Sequence, residues 1–310
     1  MKIIITGISG LLGYALWKEA ARRRHQCIGI YGRFPIKPIN QDSQQTLSMD
    51  LTSADLIERL ILDEFPDAVI HAAAISNPES VDKNPNLSEN INVRLPKKIA
   101  QLCHHIGARF FHYSTDMVFN GQENHSYKST DLPDPTCLYA KQKVAAERLI
   151  LAVAAPEANI LRIPILSGNS PQGNRSIHER ILHKISSGIS AKLYTDEIRQ
   201  PISADNVAQL TIELLERSPP LSGIFHWAGC ENHSRYNMGI RIMQHFGLSK
   251  SEIKPNKISK DNLRKPRFLK LDSNLLQSKV RTRPDPFSVQ LSHLSIPRSL
   301  FKWYQEIHQK

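Results

Sequence analysis

The sequence predicts an α/β protein: a Rossmann-type doubly wound parallel sheet with a smaller C-terminal substrate-binding lobe. Three observations carry that expectation. The apolar run Lys2-Ile3-Ile4-Ile5-Thr6 leads at once into Gly7-Ile8-Ser9-Gly10-Leu11-Leu12-Gly13, then into an amphipathic stretch to about Arg24. A strand apolar on both faces suits a parallel sheet, and strand, glycine turn and helix in that order hold a pyrophosphate. Further short apolar runs alternate with helical periodicity, and their ends carry small or hydroxyl residues, where open α/β sheets bind ligands.

Within the turn, Gly7 permits the tight bend, Gly10 lets a pyrophosphate approach the backbone, and Gly13 lets the helix pack on the strand. Ser9, Leu11 and Leu12 complete the expected cofactor-binding cradle. The second strand, about Cys27 to Tyr31, ends in Gly32-Arg33 with Lys37 soon after, and the first acid is Asp42. An acid there would bond a ribose 2′-hydroxyl, whereas Arg33 suits a 2′-phosphate, so NADP(H) is preferred over NAD(H). Asp50-Leu51 precedes a helix from about Ala54 to Phe65, to cap it or to hold the adenine end of the cofactor. Asp67 to Ala74 reads as a third strand, whose Ala72, Ala73 and Ala74 let a cofactor lie close to the backbone. His71 reads as a packing residue. A helical stretch from about Leu87 to His105 carries Asn92, and Pro96 marks a kink or a second start.

The fourth strand, Arg109 to Ser114, runs into Thr115-Asp116-Met117-Val118-Phe119-Asn120-Gly121, and a polar, proline-bearing loop then delivers Tyr139 to the start of a helix. Tyr139 and Lys143 are four apart and share a helix face. The ammonium of Lys143 favours ionisation of a phenol whose ordinary pKa near 10 is too high for proton exchange at neutral pH. Alone the pair is a common surface motif. It gains weight because Thr115, the alanines and the glycine turn converge on one sheet edge.

Thr6-Gly7-x-x-Gly10-x-x-Gly13, Asp50-Leu51, His71-Ala72-Ala73, Ser114-Thr115-Asp116-x-Val118-Phe119-x-Gly121 and Tyr139-x-x-x-Lys143 resemble the extended short-chain dehydrogenase/reductases, in particular the dTDP-4-dehydrorhamnose reductase branch. The likeness continues through Leu161-Arg162, Arg199 to Ala208 and Gly223 to Gly229, over nearly the whole chain. It implies NADPH-dependent reduction of the 4-keto group of a nucleotide-linked deoxysugar. Thr115 would bond the carbonyl oxygen and Tyr139 donate the proton, while Lys143 would hold the nicotinamide ribose. It also implies Asn92 and Arg162 on the cofactor side, and Asp116, Met117, Val118 and Pro164 beside the substrate. The reductases usually carry a tryptophan in the segment matching Leu161 to Gly168; this chain has none there. That segment is similar to the regulatory β subunits of methionine adenosyltransferase, which implies the alternative of an NADP-binding regulatory subunit with little turnover.

At 310 residues the chain can form one large α/β unit or two lobes. The expected division is 1–160 for the dinucleotide-binding part and 161–310 for the lobe, with about 198–228 rejoining the sheet. Net charge is +11, and from Lys250 to Lys310 fourteen Lys or Arg stand against five Asp or Glu. Prolines and aliphatics interrupt these cations, so a solvated face or a site for an anionic small molecule fits better than nucleic acid. Arg264-Lys265-Pro266-Arg267 could face a diphosphate. The four cysteines are scattered without metal-ligand spacing, so no metal is expected, and buried free thiols fit a cytoplasmic protein. No apolar run is long enough to span a membrane. A homodimer or a partner enzyme stays open.

Overall fold

The computed structural model describes residues 1–122, 125–259, 262 and 265–308. A seven-stranded sheet is made of β1 (Lys2–Thr6), β2 (Gln26–Tyr31), β3 (Gln44–Ser48), β4 (Ala68–His71), β5 (Arg109–Thr115), β6 (Ala158–Ile163) and β7 (Gly223–His226). Its order is β7-β6-β5-β4-β1-β2-β3, and every pairing is parallel. The chain winds outward from β1 to β3 and then returns to β4 on β1's other side. That reversal opens a crevice at the carboxyl ends of β1 and β4, the usual ligand position in such sheets.

The main helices are α1 (Leu11–Arg22), α2 (Ala54–Glu64), α3 (Leu95–Ile106), α4 (Leu138–Ala154), α5 (Ile177–Ser186), α6 (Ala204–Glu216), α7 (Arg235–His245) and α8 (Phe301–His308). Strand alternation sorts the core. Ile3, Ile5, Phe111 and Leu161 pack with α1 and α6, whereas Ile4, Val69, Phe110 and Ile160 pack with α2, α3 and α4. A third cluster, including Ile181 and Leu182 of α5 and Met238, Ile242 and Met243 of α7, forms a core of its own with Phe287, Leu291 and Leu300. Helix α6 packs on the α1 side and β7 pairs with β6; Leu276 and Val280 from the late chain join the same core.

Two local features bear on the sequence expectations, one departing from them and one agreeing. Strand β3 was not anticipated, because Gln-Gln-Thr-Leu-Ser has no apolar alternation; as a sheet edge it needs only the backbone ladder of β2. The stretch from Leu87 to His105 is broken as Pro96 suggested: a π-helical turn, Asn90–Arg94, precedes α3, and Pro96 sits in the first turn of α3, where no N–H is needed.

Candidate active site at the carboxyl edge of the sheet

The glycine turn leaves β1 at Gly7, whose φ of 76° is one that L side chains rarely adopt. A Cβ on Gly7 would lie 2.8 Å from the Ala73 nitrogen, and one on Gly13 would lie 2.0 Å from the Gly7 carbonyl oxygen. Both positions therefore demand glycine by close approach. The turn is fixed by Gly7 and Ile8 nitrogens donating to the Ile30 carbonyl and by Gly10 N donating to Gly7 O. Helix α1 begins at Gly10 with no capping side chain and no acid in its first turn. Its amino-terminal N–H groups thus face the crevice without a side-chain competitor, the arrangement that receives a phosphate. Thr6 supports the far wall: its Oγ1 accepts from Ala73 N at 3.2 Å and bonds His71 Nδ1 at 2.9 Å.

Arg33 is exposed, two residues past the end of β2. Asp50 is also exposed; its carboxylate accepts from Thr52 N, which holds it below the usual range, and Leu51 packs partly against the core behind α2. Asn92 is engaged by the protein itself. Its side chain is buried, accepts from Ile75 N, and donates to Ile75 O and to Gln142 Oε1. It braces the loop after β4.

On the reactive side, Thr115 ends β5 and is buried; its hydroxyl donates to Asp116 Oδ1 at 3.1 Å and accepts from Met117 N at 3.2 Å. Asp116 is buried and pushed up to about 6, by desolvation above all, against the opposing pull of Arg199. Tyr139 stands in the first turn of α4, and burial raises its phenol, with the nearby Asp116 and Cys137 adding to the rise. The phenol thus lies above its ordinary value, not below it as the neighbouring Lys143 led one to expect. Lys143 is buried one turn further, donates to the Tyr113 carbonyl at 2.9 Å, and is pushed down to about 8 by burial. That bond ties α4 to β5 two residues before Thr115.

Two other expected site residues are taken up by internal contacts. Arg162 is 2% exposed, and its Nε and Nη2 donate to both carboxylate oxygens of Glu147 at 2.9 and 2.7 Å. Its remaining Nη1 lies 3.4 Å from His226 Nε2, so it is a buried strut between α4 and β6. Val118 has no exposure and packs with Phe119, Tyr127 and Val144. Met117 is half-buried, whereas Pro164 is buried.

Sequence reasoning singled out Arg199 only within a motif and missed what surrounds it. Arg199 lies 3.6 Å from Asp116 and 3.4 Å from Glu197, and Glu197 also draws Arg235 at 3.9 Å and Lys265 at 3.5 Å. Arg180 is near enough to Arg235 to oppose its charge. These cations come from separate segments of the lobe, so only the alternation of charges around Arg199 hinted at them. Arg264 lies outside the described residues.

A glycine-lined crevice at the switch point, with Thr, Tyr and Lys on adjoining elements, defines the class: an extended short-chain dehydrogenase/reductase. Within that class the chain belongs to the family described as RmlD substrate binding domain, whose model matches residues 1–296. It is 28% identical over 312 residues to "Methionine adenosyltransferase 2 subunit beta" of Bos taurus, covering 99% of this chain and 91% of that protein. It is 29% identical over 256 residues to the "Probable low-salt glycan biosynthesis reductase Agl14" of Haloferax volcanii, covering 80% of this chain and 81% of that one. Among solved structures, a hypothetical dTDP-4-dehydrorhamnose reductase from Sulfolobus tokodaii aligns with a TM-score of 0.77 and 27% identity, over 91% of this chain and 96% of its own.

Proposed function

We propose that the protein is an NADPH-dependent reductase of a sugar-nucleotide carbonyl, with a 4-keto group of a nucleotide-linked deoxysugar as the reacting centre. The observation that carries the reading is the meeting of Thr115, Tyr139 and Lys143 at the carboxyl edge of a sheet whose glycine turn is shaped for a dinucleotide. A nicotinamide cofactor held at the Gly7–Gly13 turn would supply the hydride to the carbonyl carbon. Tyr139 gives its hydroxyl proton to the carbonyl oxygen, forming the alcohol, and its buried surroundings keep the phenol in the acid form that this step needs. The Thr115 hydroxyl turns from Asp116 to the same oxygen and stabilises the charge that develops there. Lys143, anchored by the Tyr113 carbonyl, supplies positive charge beside the ribose and phenol. Arg33 at the end of β2 favours a 2′-phosphate, hence NADP(H) over NAD(H). Beside Asp116, Arg235 has only a 3.9 Å ion pair and Arg180 has none among the described residues, which suits an anionic substrate.

The likeness to the methionine adenosyltransferase β subunit, over 99% of the chain, supports a second reading: a dinucleotide-binding regulatory subunit that docks on a partner enzyme. Turnover separates the two. NADPH oxidation is followed with a panel of 4-keto sugar nucleotides, in wild type and Tyr139→Phe. Activity abolished by the substitution supports the reductase. Silence across the panel, with NADPH still bound tightly, favours the regulatory subunit.

A further inference from the structure

Beneath the proposed reactive residues the sheet carries a polar stripe on an otherwise apolar face. Thr6 is the register partner of His71, and His71 that of His112, across β1, β4 and β5. By strand alternation these residues and Ser114 share the face of Ile4, Val69 and Phe110, the face on which α4 packs. His71 and His112 are each 1% exposed and their rings stack with centroids 5.7 Å apart. His71 Nε2, both ring nitrogens of His112 and Ser114 Oγ are buried and have no protein partner among the described residues. Buried polar atoms are nearly always hydrogen-bonded, so four in one place call for ordered water between them.

Lys143 lies on the same face. Its ammonium has three hydrogens, of which one goes to the Tyr113 carbonyl; among the described residues no other acceptor takes the rest. We propose that His112 and Ser114 are positioning residues for Lys143: through ordered water they accept the ammonium hydrogens that Tyr113 leaves free. Both histidines stay neutral as a result of burial, with the Lys143 charge adding to the effect, so they act as acceptors and not as rival cations. Among the described residues, the other neighbours are engaged elsewhere. On its own helix stand Tyr139 and Glu147, the latter engaged by Arg162. From the turn before α3 comes Asn92, uncharged and tied to Ile75 and Gln142. Removing an acceptor therefore makes the charged lysine harder to keep, and its titration moves to lower pH.

The consequence for turnover rests on the reductase reading, but the titration itself needs no substrate. The full chain is labelled with isotopic lysine and the Lys143 side-chain signal, identified by its loss in Lys143→Met, is titrated by NMR. From a wild-type midpoint near 8, His112→Leu should lower the midpoint by about one unit or more, which at pH 8 cuts the charged fraction about fivefold. Ser114→Ala should shift it the same way by less, and His112→Gln, which keeps an acceptor, should stay near wild type. Equal midpoints in wild type, His112→Leu and Ser114→Ala overturn the proposal, as does a His112→Gln shift as large as that of His112→Leu. Should His112→Leu not fold, Ser114→Ala decides: a lowered midpoint supports the assignment and an unmoved one overturns it. A protein silent towards every sugar nucleotide would still show the shift, so this test and that of the reductase reading fail separately.

Discussion

Burial and the nearby Asp116 both favour the neutral phenol of Tyr139. That fits a proton donor in the reducing direction, where the hydroxyl must still hold its hydrogen when substrate arrives. Tyr139→Phe should accordingly lower turnover by roughly 10²- to 10⁴-fold, the usual worth of a positioned general acid, while NADPH affinity measured by fluorescence changes little. Loss of affinity in step with activity would instead give Tyr139 a binding role. Arg33 is exposed, so a 2′-phosphate would be held by a charge-assisted bond at the surface. Arg33→Ala should weaken NADPH by about tenfold and leave NADH unchanged, as read from the two dissociation constants. An equal effect on both cofactors would remove the 2′-phosphate assignment.

At the scale of elements, two contacts decide whether the site is assembled. Helix α1 comes so near the turn that a Cβ at Gly13 would lie 2.0 Å from the Gly7 carbonyl. That neighbour is backbone and cannot swing aside, so Gly13→Ala must push α1 off β1. The expected result is a destabilisation of about 1–3 kcal/mol in urea unfolding, together with loss of dinucleotide binding in the folded fraction. The second contact is the Arg162–Glu147 pair between β6 and α4, both side chains 2% exposed. Arg162→Met strands a buried carboxylate and should cost about 3–5 kcal/mol, whereas the double change with Glu147→Leu should recover most of that loss. NADPH affinity of the folded double variant should match wild type, because Arg162 is a strut. A selective loss of affinity would return Arg162 to the cofactor.

At the scale of the whole molecule, what the sequence made legible was what repeats along the chain. Apolar strand runs, the glycine spacing and the four-residue spacing of Tyr139 and Lys143 are local patterns, and the sheet brings them to one edge without further information. What was hidden depends on partners distant in sequence. Arg162 read as a site residue because its partner Glu147 lies on another element. Likewise, the cations on Glu197 come from segments that only the folded lobe joins. The histidines belong to this hidden class, and they set how the molecule responds to acid. His71 is pushed down to about 3 and His226 to about 4, both by burial first, and His112 and His178 are lowered as well. His226 is held neutral by geometry too: its Nδ1 donates to the Tyr127 carbonyl, leaving Nε2 as acceptor opposite Arg162. Each of these groups binds more protons unfolded than folded between its folded value and the ordinary 6.5, so stability rises with pH through that window. Their contribution is complete above about 6.5 and is lost as pH falls towards their folded values. Asp116, raised to about 6, works the other way, but it is one group against four. The melting temperature should therefore fall steadily from neutral pH to about pH 4, the buried imidazoles taking up protons as the chain unfolds. His226→Gln, which keeps a donor for Tyr127 and an acceptor for Arg162 without a titrating ring, should flatten part of that slope. A variant whose melting curve against pH runs parallel to wild type would show that His226 does not carry it.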